Sequence, residues 1–329
     1  VGPMTRSVQD AAHMLAAMAG PDPLDLSSQS LPVPTDLALL GDRLDGIIVG
    51  VPRGHFATGV EAAVTAAFDA SLLVLEELGA TLTEVALPSA GNLGPVGSLL
   101  SMWEAFTLHA SHLREEAGAY GPKARANIAS GGFYGSDEVG QALQLRTLWA
   151  REVATAFGQV DVIVTPTLPE PVVTRDDWVA RPPDTSWATR AFSLTGHPAL
   201  TLPCGFDGNG MPIGLQVAAR HFAERTMFQV AHCYERATPW HDRRPDSSWW
   251  GDPVPSTTAV ATVAEMSSEE RRSWQAQAAR LGLDLGDRDL DREAGIVRRV
   301  RVGLGSLRFE RTSDVEPPQY VPVQSKVDS

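Results

Sequence analysis

Gly46 to Pro52 (GIIVGVP) is a short unbroken apolar run. Residues 59–78 then carry a helical pattern with Gly79 just past its end, and Thr81 to Leu87 alternates apolar with polar. Strand, helix and strand within about forty residues make a βαβ unit. Its crossover is expected to be right-handed, which sets the two strands parallel. A strand apolar on both faces has to be covered on both faces, so helices must lie above and below the sheet.

The rest of the chain fits that frame. Ser7 followed by Asp10 reads as a helix N-terminus, with Val8, Ala11, Ala12, Leu15 and Met18 at helical spacing and Gly20-Pro21 as the stop. Residues 21–44 read as loop. Residues 95–158 are helix-rich, broken near Gly131-Gly132 by a flexible turn. Val160 to Val164 is a buried strand, and residues 168–184 are a proline-rich loop. A short helix runs to about Thr195. Two strands, Ala199 to Pro203 and Ile213 to Ala218, flank Asp207-Gly208-Asn209-Gly210, and Asn-Gly is a hairpin signal. A helix over 223–236 follows. Residues 238–257 lack periodicity and read as a linker or a strap laid over the domain. Ser267-Ser268-Glu269-Glu270 opens an amphipathic helix through Leu281, and an Arg-studded helix spans about 290–304. The tail from Pro317 is expected to be extended, because consecutive prolines forbid helix.

The fold class expected is therefore α/β, a mixed β-sheet core flanked by helices, with a helical C-terminal extension. The domain reading is a body over 1–245, a linker over 246–262 and a helical tail over 263–329.

A hydrophobic content of 43% supplies a sizeable core. The formal net charge of −13 argues against a general phosphate-backbone surface, so no direct nucleic-acid partner is expected. Two cysteines, Cys204 and Cys233, cannot build a disulfide framework, and a reducing cytoplasm is the natural compartment. No apolar run is long enough to span a bilayer and no signal-peptide pattern stands at the start. No membrane partner is expected.

The search for chemistry returns no catalytic residue and no cofactor. Val51-Pro52-Arg53-Gly54 is no phosphate loop. His109 and His112, near Glu115 and Glu116, have a spacing that can share a metal, but no third ligand stands nearby and a solvated face is the better reading, so no metal is expected. Ser130 to Ser136 resembles a Gly-Gly-Ser loop with Phe133 where the serine would be needed. There is no GxSxG elbow and no SxxK pair. Cys204 reads as a buried structural thiol, and His197 as a residue packed at the end of a core strand. Trp240, Trp249 and Trp250 read as anchors for the strap.

Several segments are familiar together: Gly2-Pro3-Met4-Thr5-Arg6-Ser7-Val8-Gln9-Asp10-Ala11-Ala12, Ala19 to Asp25, Ile48 to Pro52, and Leu75 to Ala80. So are Val160 to Thr167, Thr195 to Ala199, Leu202 to Gly205, and Pro212 to Gln216. In this order and spacing, over roughly residues 1–245, they resemble the amidase-signature enzymes. The resemblance implies hydrolysis of a carboxamide C–N bond. In that family a serine attacks the carbonyl, a lysine acting through a second serine on a cis peptide moves the proton, and backbone N–H groups hold the oxyanion. By the resemblance those groups precede Val1. The chain is then expected to be the C-terminal portion of a longer protein and inactive alone, with the missing N-terminal half as a partner and a small amide as substrate.

The resemblance also implies where substrate is gripped. The arginine and aspartate of the glutamine-using branch fall by ungapped placement near Asn127 and Ser186. Neither can pair with a charged group, which favours a general amidase over the A component of a glutamine-dependent tRNA amidotransferase. Asn127 and Phe192 become the substrate-binding candidates. The tail, from Leu281-Gly282-Leu283 to Asp314-Val315-Glu316-Pro317-Pro318, resembles the small C subunit of tRNA-dependent amidotransferases, a plain helical extension being the alternative. A non-catalytic assembly protein and a homodimer stay open.

Overall fold

The computed structural model describes residues 2–25, 27–31, 41–174, 187–244 and 266–305. Ser7 caps the first helix, α1 (Val8–Met18), its side chain accepting the Asp10 N–H. The expected βαβ unit is present as β1 (Ile48–Pro52), α2 (Ala62–Glu77) and β2 (Thr81–Val85). The strands are parallel, from Ile48 opposite Thr81 to Pro52 opposite Val85. Helix α2 starts three residues later than expected because Gly59 takes φ +73°. Gly79 (φ +105°) turns the chain from α2 into β2, a conformation L side chains rarely adopt.

After β2 come α3 (Leu93–Glu115), α4 (Pro122–Ser130) and α5 (Ser136–Phe157). Strand β3 (Val162–Pro166), buried at every residue, joins the far side of β1 in parallel. It begins at Val162 rather than Val160, and Asp161 accepts the Ile48 N–H at 2.9 Å. A short helix, α6 (Thr189–Ser193), leads into β4 (Ala199–Phe206) and β5 (Pro212–Ala219). These two form the predicted antiparallel hairpin. In its turn the Asp207 carboxylate accepts the N–H of Asn209 and of Met211, and Gly210 supplies φ +79°. Strand β5 pairs antiparallel with β3, so the five strands form one mixed sheet in the order β2-β1-β3-β5-β4.

Alternation along the strands divides the core. Val162, Val164, Val217 and Ala219 face α1, α2 and α7 (Glu224–Ala237). Ile163 and Ala218 face the opposite layer, with Phe56, Leu93, Trp149, Phe157 and Phe192. A third cluster lies away from the sheet. There the C-terminal helices α8 (Ser268–Arg280) and α9 (Asp287–Gly305) pack on α3, α4 and α5 through Trp274, Leu290, Val297 and Leu304. Ser267 caps α8 through the Glu270 N–H. Polar clamps fix the contact. Arg301 grips Glu138 with two bonds of 2.7 and 3.0 Å and also donates to the Phe133 carbonyl. Arg114 donates to the Leu281 carbonyl.

The Gly131-Gly132 break is not a flexible turn. It is a 3-10 turn packed into that third cluster, and a Cβ at Gly131 would overlap the Met102 carbonyl of α3. Glycine here serves close approach of two backbones. Of the strap, residues 245–257, with Trp249 and Trp250, fall outside the described residues, as do Ser186 and the tail beyond 305. No described helix is long and apolar enough to cross a membrane.

A cleft centred on Arg190

Helix α6 has five residues, too few to hold itself in place. Its position comes from two buried side chains. Gln216, on β5 and 2% exposed, donates to the Thr165 hydroxyl at 3.0 Å and to the Ala188 carbonyl at 3.3 Å. The indole N–H of Trp149 on α5 donates to the Ala191 carbonyl at 2.7 Å. A buried amide and a buried indole each need such partners, so α6 is pinned at once to the sheet and to α5.

Arg190 leaves α6 toward α3. Its Nη1 donates to the Gly94 carbonyl at 2.5 Å and to the Ser98 hydroxyl at 3.0 Å. The aliphatic stem passes over Gly97, where a Cβ would run into Arg190 Cδ. Arg146, from α5, donates Nε to the Leu194 carbonyl at 2.8 Å. Between these elements lies a cleft of about 290 Å³, lined among others by Ser101, Glu104, Arg146, Thr189, Arg190 and Ser193.

Two guanidinium groups, one carboxylate and several hydroxyls can hold a polar or anionic group by charge-assisted hydrogen bonds. They do not form an activated nucleophile. Among the described residues no histidine or lysine lines the cleft, and the Ser193 hydroxyl is spent on the Thr189 carbonyl at 2.9 Å. The arrangement suits binding and orientation rather than proton transfer.

The sequence candidates lie elsewhere or beneath. Asn127 is exposed on α4, which contributes nothing to this cleft. Phe192 is on α6, but its side chain is fully buried in the layer under the cleft. The structure does not bring the two together at one surface. His109 and His112 both turn Nδ1 to the Tyr120 hydroxyl, at 3.0 and 2.7 Å. Among the described residues no three His, Cys, Asp or Glu side chains are placed to hold a metal. Cys204 is buried, and burial pushes its thiol up to about 12. His197 stacks between Phe157 and His221, with Nδ1 at 2.7 Å from the Thr195 hydroxyl. Burial, with a smaller push from His221, lowers its pKa to about 4. Trp240 packs against the α1–α2 side of the core. Sequence pattern does not single out Arg146 or Arg190; the one local sign of them is an isolated glycine, Gly97, inside a helical pattern.

A sequence model of the family described as Amidase matches residues 1–228. The chain is 34% identical over 273 residues to the A subunit of the glutamyl-tRNA(Gln) amidotransferase of Moorella thermoacetica, a match covering 75% of this chain and 56% of that protein. It is 36% identical over 254 residues to an amidase of Pseudomonas putida, covering 74% of this chain and 54% of the relative. The chain thus spans about half the length of the curated relatives it matches. Among solved structures, a bacterial aryl acylamidase of the amidase-signature enzymes shares the fold, with a TM-score of 0.64 at 22% identity over 74% of this chain and 55% of that one. The expected mixed sheet with flanking helices is the fold these neighbours share, and the chain belongs to the amidase-signature family.

Proposed function

We propose that this chain is the C-terminal part of an enzyme that hydrolyses a small carboxamide, acting in the cytoplasm without a cofactor. The carrying observation is the character of the Arg190 cleft. It offers hydrogen-bond donors and charge for a polar group, but among the described residues no histidine or lysine lines it to activate a serine. Such a surface suits one wall of a substrate pocket. The attacking serine, the cis-peptide serine and the lysine then come from a segment upstream of Val1, in keeping with a match to only about half of each curated relative. On this reading residues 1–245 belong to the enzyme body, 246–262 link, and 263–329 form an accessory unit. Of the two substrate-binding candidates, Phe192 shapes the floor from below, while Asn127, exposed on α4, does not line the cleft.

A second reading has one observation in its favour: the Moorella thermoacetica relative belongs to a glutamyl-tRNA(Gln) amidotransferase. Against it, by the ungapped placement, the neutral Asn127 and Ser186 stand where the glutamine-using branch has an arginine and an aspartate. One experiment separates the two. Ammonia release from simple carboxamides and from glutamine is measured for this chain alone and for the chain joined to its upstream reading frame. The proposal expects background rates for the chain alone and turnover of carboxamides, not glutamine, by the longer protein. Turnover by the chain alone, or a longer protein inert on all carboxamides, refutes it; a preference for glutamine selects the second reading.

A further inference from the structure

Helix α9 presents an apolar stripe to α3 and α4, made by Leu290, Ala294, Val297, Val300 and Leu304. Glu293 sits inside that stripe. Its side chain is fully buried, and neither carboxylate oxygen has a hydrogen-bond partner among the described residues. Beside it, Arg125 of α4 gives its Nη2 to Asp289 at 2.6 Å, while its buried Nε is left without a hydrogen-bond partner among the described residues. Buried polar side chains in proteins are usually satisfied, so a carboxylate with both oxygens orphaned calls for a cause.

We propose that Glu293 is a proton-dependent latch, which holds the C-terminal helix pair on α3 and α4 while neutral and releases it on ionising. An isolated buried carboxylate costs far more than a buried neutral acid. A well-packed apolar residue would dock at least as well at any pH. A glutamate at a stripe position therefore makes docking conditional on a proton. Among the described residues, the charges acting on it are Asp289 and Arg292 on its own helix and Arg125 from α4, with none from α3 or α8. Burial, reinforced by Asp289, raises its pKa from 4.5 to about 8 against the pull of the two arginines.

The docked pair thus keeps a proton that the released pair gives up. Docking is strongest below about 4.5, weakens as pH rises toward about 8, and levels off above it. Across that window the docking constant falls by about tenfold per pH unit. The effect can reach the cleft, because α3 packs on α9 through Pro95 and Gly303 and also carries Ser101 and Glu104.

The test is amide hydrogen exchange over 287–305 in the full chain, from pH 5 to pH 9, for the native protein and Glu293→Gln. Comparing the two at each pH cancels the chemical dependence of exchange. The expected result is a native-to-variant rate ratio that climbs by up to about tenfold per pH unit and flattens near pH 8. A ratio that stays constant with pH overturns the latch. Glu293→Met serves as a second pH-insensitive reference should the glutamine variant lose its fold; a constant ratio against it overturns the proposal equally.

Discussion

Replacing Gly131 by alanine sets two effects against each other. The residue has helical dihedrals (φ −62°, ψ −29°), so intrinsic propensity alone favours alanine by about 1 kcal/mol. The new Cβ, however, would occupy the space of the Met102 carbonyl oxygen and lie 2.8 Å from Phe106 Cβ. A backbone carbonyl inside α3 cannot swing aside as a side chain can. Relief requires α3 and α4 to separate, which loosens the cluster containing Phe133, Trp274 and Leu290. Overpacking against an unyielding neighbour costs about 3 kcal/mol or more, so the net loss is on the order of 2–3 kcal/mol. For a unit this size that lowers the melting temperature by roughly 5–10 °C. At Gly140, in α5, an added Cβ would meet nothing within 4 Å, so Gly140→Ala is the matched control and gains about 0.5–1 kcal/mol. Urea unfolding and calorimetry of both variants read the effect. A Gly131→Ala protein as stable as the native chain would refute the claim that this glycine exists for close backbone approach.

Three further outcomes are expected. Gly97→Ala displaces the Arg190 stem and its bonds to Gly94 and Ser98; because that stem is flexible, the loss is only about 1 kcal/mol in urea unfolding. The His197 pKa is lowered in the folded state, so the unfolded chain binds the extra proton and stability falls as pH drops from 6.5 to about 4; denaturation midpoints should show a smaller acid loss in His197→Phe, which keeps the stack on Phe157. Cys204 is buried and its thiol pushed up to about 12, so at pH 8 it reacts with a disulfide reagent only as fast as the protein unfolds, and rapid labelling without denaturant would contradict its placement.

The parts of the fold legible in the sequence are those set by local chemistry. Ser7 and Ser267 announce helix starts, the GIIVGVP run announces a central strand, and Asn209-Gly210 announces the hairpin. The cleft was not legible. Arg146 and Arg190 meet there from different helices, and no spacing encodes that meeting. It depends on Gln216 and Trp149 tethering a five-residue helix whose own sequence carries little helical drive. On so short a helix Phe192 and Arg190 point to opposite sides, core and cleft, and an ungapped placement cannot tell which side a residue takes. The Gly131-Gly132 pair was visible as a break, but whether two glycines mean slack or close contact is decided by what packs against them.

The family match stops at residue 228, yet α8 and α9, over 268–305, form one side of the third hydrophobic cluster. Common descent and cooperative folding therefore draw different borders on this chain. A version trimmed just past α7 would keep every strand and the helices packed on that face of the sheet, while Leu99, Phe133 and Val139 would open to water. The smallest piece worth purifying is set by what seals those side chains, and that seal reaches at least to Leu304.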